Sequence, residues 1–379
     1  MKDNNIHKER HLRYAAELIL AYNGDEPFHL YLKRYFREHK KHGSRDRRNI
    51  TSLCYHYFRL GNGILNPMRI DEKLSLGDYL NSNTPDILHE RLKEETGHFD
   101  ALQIFPFNDY LSNHIEKELF NLSFLQQPLL FVRIRPGFRQ HVLNVLSENK
   151  IQFEQLNDNC LSFENNTAIE KLFRTDKEVV IQDYNSQQAA LFFEKMEAAP
   201  HPQINIWDCC AGSGGKSILA ADFFRRYKLT VSDKRKSILA NLQKRFRNAG
   251  IKNFKIIMAD LSKPVSKITG GPFDLIIADV PCSGSGTWGR TPEQMHCFDK
   301  NEIDEYTALQ RTIITNSISY LKKDGYLLYL TCSVFEKENE DNTKFLSKEN
   351  GLKIMHQQYL KGYEMKADTL FGSLMKKIY

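Results

Sequence analysis

Between Ile204 and Asp279 four strand-length apolar runs each lead into an aspartate. They are Ile204-Asn-Ile-Trp before Asp208, Leu229-Thr-Val-Ser before Asp233, Phe254-Lys-Ile-Ile-Met-Ala before Asp260, and Phe273-Asp-Leu-Ile-Ile-Ala before Asp279. Helices are expected to open at about Ser217 and again after Asp233. Such alternation predicts an α/β, Rossmann-like fold with a mostly parallel, doubly wound sheet, whose ligands sit at the C-terminal strand ends. A lone strand-end aspartate is usually a cap or turn residue. Four in register make capping alone an uncomfortable explanation.

The first run enters a glycine turn, Asp208-Cys-Cys-Ala-Gly-Ser-Gly-Gly-Lys-Ser217. Strand, glycine turn and helix together form the context in which a glycine motif is credible as a nucleotide-type cofactor site. Gly212, Gly214 and Gly215 let backbone approach a ligand where a Cβ would collide. The ending Gly215-Lys216-Ser217 looks superficially like a phosphate-cradling P-loop, but that motif needs a glycine five places earlier, where Cys210 stands. The acid closing the second run, Asp233, is placed to hydrogen-bond ribose hydroxyls.

Two further pieces carry cysteines: Asp279-Val-Pro-Cys282-Ser-Gly-Ser-Gly286, and Gly325 to Leu330 followed by Thr331-Cys332-Ser333. Neighbouring strands lie roughly 5 Å apart, so if these two adjoin, Cys282 and Cys332 face each other across the cofactor crevice. Strand-tip positions beside Pro281 and Ser333 suit core packing poorly. No second Cys-x-x-Cys or His pair stands nearby to complete a zinc site. A redox disulfide fits poorly with a reducing compartment. A thiolate that attacks a nucleic-acid base fits better. Cys160, Cys209 and Cys297 read as structural.

Seven irregularly spaced cysteines argue against a secreted disulfide framework and for a compartment in which thiols stay free. The amino terminus lacks the apolar core of a signal peptide, and no run approaches a membrane span. The expectation is a soluble, cytoplasmic monomer without a metal. Its 41% hydrophobic and 26% charged residues are those of an ordinary globular protein, and a net charge of +6 permits a polyanionic partner without demanding one.

The amino-terminal half reads as two domains. Residues 1–123 are expected to be helical. Apolar residues recur at helical spacing from Leu12 to Phe58, and a second helical stretch covers about Ser75 to Leu122. Basic residues, among them Arg45, Arg47, Arg48 and Arg59, cluster with Tyr31, Tyr35, Phe36, Tyr55, Tyr57 and Phe58. That mixture suggests an RNA-facing surface, with a solvated charged face as the alternative. Cys54 reads as a small core residue. Residues 124–180 suggest a small α/β, RRM-like module. Its first strand spans about Pro128 to Pro136, and Arg133 and Arg135 share one face of it, either against RNA or in solvent. The catalytic domain is then 181–379, closed by two strands after Leu352.

The residues quoted resemble the Nol–Nop–Sun family of RNA cytosine-5 methyltransferases, closest to the bacterial Sun, or Fmu, ribosomal RNA enzymes. The family's Asp-x-Cys-Ala-Ala-Pro-Gly-Gly-Lys-Thr matches Asp208 to Ser217, with Gly212-Ser213 replacing Ala-Pro and Ser217 replacing Thr. Its Asp-x-Pro-Cys-Ser-Gly-x-Gly is present at Asp279 to Gly286, its Thr-Cys-Ser at Thr331 to Ser333, and its Gln-Asp-x-x-Ser-Gln at Gln182 to Gln187. Ser44 to Arg48 and Leu53 to Arg59 are similar to the family's NusB-like helical domain. Two departures stand out: Arg133-Ile-Arg135 where the family prefers Arg-Val-Asn, and Ile238 where an arginine is common.

The resemblance implies methylation of cytosine C5 in RNA from S-adenosyl-L-methionine, with ribosomal RNA favoured over transfer RNA. Cys332 attacks C6, Cys282 assists release, and Asp279 acts at N3. Cys209, Cys210, Ala211, Gly212, Ser213, Gly214 and Gly215 hold the methionine end of the cofactor, Asp233 its ribose and Asp260 its adenine. Lys216 meets either the base or Asp279. A non-catalytic RNA-binding assembly factor is the rival, and it predicts loss of a cysteine motif; both motifs are intact.

Overall fold

The computed structural model describes residues 2–82, 99–197, 203–265 and 268–378. It divides into two compact units: Met1–Leu111 with Ile115–Gln127 and Thr287–Lys300, and Ser112–His114 with Pro128–Gly286 and Asn301–Tyr379.

The first unit is helical, with helices Lys2–Ala21, Phe28–Glu38, Ser44–Phe58 and Ile70–Ser82. Apolar residues at helical spacing close its core, among them Leu18, Phe28, Leu32, Phe36, Ile50, Leu53, Phe58 and Leu74. Cys54 is buried there as a small apolar residue. The expected aromatic–basic surface is only partly present. Phe36 and Phe58 are core, and the partner tyrosines pack half-buried against them. Arg59 is fully buried, with its guanidinium donating to the carbonyls of Phe124 and Gln126 at 2.9 and 3.1 Å. Arg45 and Arg48 are exposed, while Arg47 is half-buried and donates to the His42 carbonyl. Of the helical stretch expected over Ser75 to Leu122, the first described part is helix Ile70–Ser82. Residues 83–98 lie outside the described set, and beyond them 3-10 turns at Ala101–Gln103 and Asn108–Tyr110 lead to a short helix, Lys117–Ser123. The Asp100 side chain accepts the Leu102 N–H, and Pro106 lacks a backbone donor; both favour turns over a continuous helix.

In the second unit, residues 130–181 form a four-stranded antiparallel sheet of β1 (Leu130–Ile134), β2 (Glu154–Asn157), β3 (Cys160–Phe163) and β4 (Val179–Ile181), in the order β2-β3-β1-β4. Val132 and Ile134 point to one face, where Val142 and Leu146 of helix Arg139–Glu148 cover them. Period two sends Arg133 and Arg135 to the other face. Both meet Asp222 there: Arg133 Nη1 at 2.6 Å and Arg135 Nη2 at 2.5 Å. Arg135 also donates to the carbonyls of Asp176 and Ala249. Neither guanidinium is the surface phosphate contact expected from the sequence. Arg133 is 7% exposed and Arg135 12%, and a carboxylate already faces both. Burial holds Arg133 below the usual arginine range despite Asp222.

The larger sheet has seven strands: β5 (Ile204–Asp208), β6 (Tyr227–Asp233), β7 (Phe254–Met258), β8 (Phe273–Asp279), β9 (Leu321–Thr331), β10 (Leu352–Leu360) and β11 (Leu370–Lys377). The order is β10-β11-β9-β8-β5-β6-β7, with β5 to β9 mutually parallel, β11 antiparallel to β9, and β10 antiparallel to β11. Helices Gly215–Phe223 and Lys236–Asn248 pack on one face, around Ile206, Val231 and Leu242. Helices Glu302–Ile318 and Glu340–Glu349 pack on the other, around Trp207, Ile276 and Leu327. Successive strands run outward from β5 to β7 on one side and from β8 to β9 on the other. The chain therefore reverses direction between β5 and β8, which is where such sheets bind ligands. Among the described residues no helix is long and apolar enough to cross a membrane.

Asp222→Ala strands two buried guanidiniums opposite no carboxylate. We expect a loss of about 3–5 kcal/mol in denaturant unfolding, with Asp222→Asn intermediate. A change below about 1 kcal/mol would show the pairs to be dispensable.

Candidate active site

At the reversal point the chain leaves β5 into the glycine turn. Gly214 there has φ +86°, and a Cβ on it would lie 2.8 Å from Phe246, so the turn can pack on helix Lys236–Asn248 only with glycine. The turn is pinned from three sides. Ser217 Oγ donates to Asp208 at 2.6 Å, Gly212 N–H donates to Asp233 at 3.1 Å, and Arg245 Nη1 donates to the Ser213 carbonyl at 3.0 Å. Arg245 is itself held by Asp176.

A cavity of about 500 Å³ opens beside this turn, within the size range of small-molecule sites. Its wall includes Cys209, Cys210, Gly212, Asp233, Asp260, Asp279, Cys282 and Cys332. Three of the four strand-end acids thus reach one cavity. Asp208 does not, being buried beneath the turn at 1% exposure. Ala211, Ser213, Gly214, Gly215 and Lys216 are not among the residues that line it. Cys209 contributes backbone, because its side chain packs in the core.

The two cysteines of interest meet: Cys282 Sγ and Cys332 Sγ are 3.3 Å apart. The Cys332 contact, then burial and the charge of Glu338, push the Cys282 thiol well above its usual range. Lys216 Nζ donates to Asp279 Oδ2 at 2.7 Å, so of the base and Asp279 it meets Asp279 here. Burial opposes the ammonium, but Asp279 outweighs it, and the charge of Cys332 adds to the same effect. At 11% exposure Lys216 is no surface phosphate contact. Burial also pushes Asp233 up, but the hydrogen bonds of Arg235 and Gly212 hold it below the usual carboxylate range. Arg235 chelates it through Nε and Nη2, both at 2.9 Å. Ser262 does the same for Asp260 at 2.6 Å.

Sequence reasoning missed Tyr306, Leu309 and Ile313, which line the cavity from helix Glu302–Ile318. Their i, i+3, i+7 spacing marks one helical face, but nothing in the spacing says what that face meets. Arg235 was missed as well, although its place two residues after a strand-end acid was visible. Among the described residues no group of three His, Cys, Asp or Glu side chains is arranged to hold a metal.

Parallel strands, a direction reversal and a glycine turn over a cavity walled by acids and paired thiols define a Rossmann-like methyltransferase domain. Residues 195–375 match the family described as 16S rRNA methyltransferase RsmB/F. Ribosomal RNA small subunit methyltransferase B of Shewanella oneidensis is 32% identical over 175 residues, 46% of this chain and 40% of its own length. The 28S rRNA (cytosine-C(5))-methyltransferase of Mus musculus is 28% identical over 181 residues, 45% of this chain and 22% of its own. The chain thus spans less than half the length of these curated relatives. Among solved structures, PH0851 superposes with a TM-score of 0.69 at 19% identity, over 97% of this chain and 98% of that one. NSun6 from Pyrococcus horikoshii reaches 0.58 at 16% identity, over 69% of this chain and 95% of its own. Both share the fold.

Burial holds the Asp208 carboxyl up at about 7, against an ordinary value near 3.9. The folded form therefore binds the extra proton between those values, and stability falls as pH rises through that window. Asp208→Asn removes the term. The wild-type stability measured against this variant should drop by on the order of 2–4 kcal/mol between pH 4 and 8. Parallel curves in thermal unfolding would show that Asp208 is ionised throughout.

Proposed function

We propose that this protein methylates C5 of a cytosine in RNA, using S-adenosyl-L-methionine, with Cys332 as nucleophile and Cys282 assisting release. The observation that carries this reading is the 3.3 Å sulfur pair at the wall of a cavity that also holds Asp233 and Asp260. A single thiol would serve attack alone; two in contact fit a reaction in which one bonds to the base and the other frees it.

Cytosine C5 is a poor nucleophile. Addition of the Cys332 thiolate to C6 places a carbon–sulfur bond there and turns C5–C6 into an enamine that accepts a methyl group at C5. The Asp279–Lys216 pair hydrogen-bonds or protonates N3, which makes C6 more electrophilic. A base then takes the C5 proton, the C5–H electrons re-form C5=C6, and the C6–S bond breaks to release the Cys332 thiolate. Cys282, 3.3 Å away, assists as that base once its own proton has passed to solvent.

The residues present fit the cofactor. Gly212 and Cys210 border the cavity at the glycine turn for the methionine end, Asp233 ends the second strand where ribose hydroxyls are read, and Asp260 follows for adenine. S-adenosylmethionine supplies an electrophilic methyl group. The Pyrococcus NSun6 structure contains SFG, an analogue of it. A base within a helix is out of reach of such a cavity, so the target is extruded or unpaired. The exposed Arg45 and Arg48 of the helical unit offer the RNA grip, and the NusB-like and RRM-like readings of the first half belong to this proposal. Ribosomal RNA is favoured because the curated relatives are named for it.

Cys332→Ser should lower methyl transfer by roughly 10³-fold or more while cofactor binding by calorimetry is retained. Activity near wild type would remove Cys332 as nucleophile. Cys282→Ala should instead accumulate a covalent protein–RNA adduct on a denaturing gel; free protein alone would remove the release role.

A further inference from the structure

Pairing of β8 with β9 fixes only the roots of the two cysteine loops, since both sulfurs stand beyond the strand ends. Beyond the strands the loops bond to each other, Ser283 Oγ to Ser333 Oγ at 3.2 Å, Val334 N–H to Ser285 Oγ at 3.0 Å and Gly286 N–H to the Cys332 carbonyl at 2.8 Å, and one carboxylate takes hold of both. Glu338, in the turn Glu336–Glu338, is fully buried. Its Oε2 accepts the backbone N–H of Ser283 at 3.0 Å and an amide N–H of Gln310 at 2.8 Å. Its Oε1 accepts the Ser333 hydroxyl at 2.7 Å. Ser283 follows Cys282 and Ser333 follows Cys332, so the carboxylate grips the residue next to each sulfur.

The anchor behind it is rigid. Gln310 also donates to the Pro281 carbonyl at 2.9 Å, and its oxygen accepts from Tyr329 and Asn342 at 2.9 and 2.6 Å. Among the described residues no cation pairs with Glu338, and burial pushes its carboxyl up. A carboxylate in such a place costs several kcal/mol unless its acceptors are filled, and here three donors fill them. An apolar residue would avoid that cost but would join nothing.

We propose that Glu338 is a positioning residue, whose hydrogen bonds to Ser283 and Ser333 set the separation of the Cys282 and Cys332 sulfurs. This rests on the reading of the two cysteines as a working pair.

The test needs neither RNA nor cofactor. Diamide takes two electrons and two protons from a thiol pair as the disulfide forms, and the rate of the Cys282–Cys332 link can be followed by peptide mapping. Glu338→Ala and Glu338→Asp, the latter one methylene too short to span both loops, should form it roughly tenfold more slowly. Glu338→Gln, whose oxygen can accept from Ser283 and whose amide can donate to Ser333, should stay within about twofold of wild type. If the alanine variant does not fold, the aspartate variant decides. Wild-type rates in the folded short variants would overturn the proposal. With RNA supplied, kcat should fall in step with the disulfide rate while KM for S-adenosylmethionine holds. A fall in kcat at an unchanged disulfide rate would make Glu338 part of the chemistry and equally overturn positioning. A wild-type protein that links its sulfurs but transfers no methyl group would sink only the proposed function.

Discussion

In the pairing of β8 with β9, Asp279 lies opposite Leu330, and the ladder continues into the loops as Val280 N–H donates to Leu330 and Gly286 N–H to Cys332. That register places a loop of three residues and a loop of one residue so that their cysteines coincide. A slip of one residue would turn every side chain of a strand to the opposite face. It would part the sulfurs and take Asp279 from Lys216. Both strands are central and apolar, with Ile276, Ile277, Leu327 and Leu328 wholly buried, so the register is held by core packing on both faces. The reactive groups thus inherit their precision from residues that take no part in chemistry.

Buried charge recurs around this frame, and each instance is handled differently. Lys216 and Asp279 neutralise each other beside the cavity. Asp222 gathers two arginines and ties the small sheet to helix Gly215–Phe223. Asp208 has one hydrogen bond and is held towards its neutral form. Glu338 has no cation beside it among the described residues and is satisfied by donors. Burial makes each of these groups costly unless it is paired, hydrogen-bonded or neutral, and Asp208, whose Oδ1 is buried without a partner, is the one held towards neutrality.

The sequence made much of the site legible, because its signals are local. Glycine turn, strand-end acids and the two cysteine motifs each lie within about ten residues, and a parallel sheet brings strand ends to one edge whatever the loops do. The two strands after Leu352 and the module of β1 to β3 were readable for the same reason. Legibility failed where the partner is distant. Period two showed that Arg133 and Arg135 share a face, but their partner Asp222 lies 89 and 87 residues on, so surface and interior could not be told apart. Arg59 misled similarly: a basic residue in a basic run, buried by carbonyls more than 60 residues away. Glu338 is close to Cys332 in sequence, yet its role depends on Ser283, 55 residues earlier.

The central claim is that Cys332 bonds to the pyrimidine ring. It is tested most directly with a 16S-type ribosomal RNA transcript carrying 5-fluorocytidine, where fluorine in place of the C5 proton blocks the final elimination. Incubated with the protein and S-adenosylmethionine, digested and mapped by mass spectrometry, the trapped nucleotide should be found on the peptide at Cys332. Attachment at Cys282, or no covalent complex under conditions that methylate the unmodified transcript, would contradict the account.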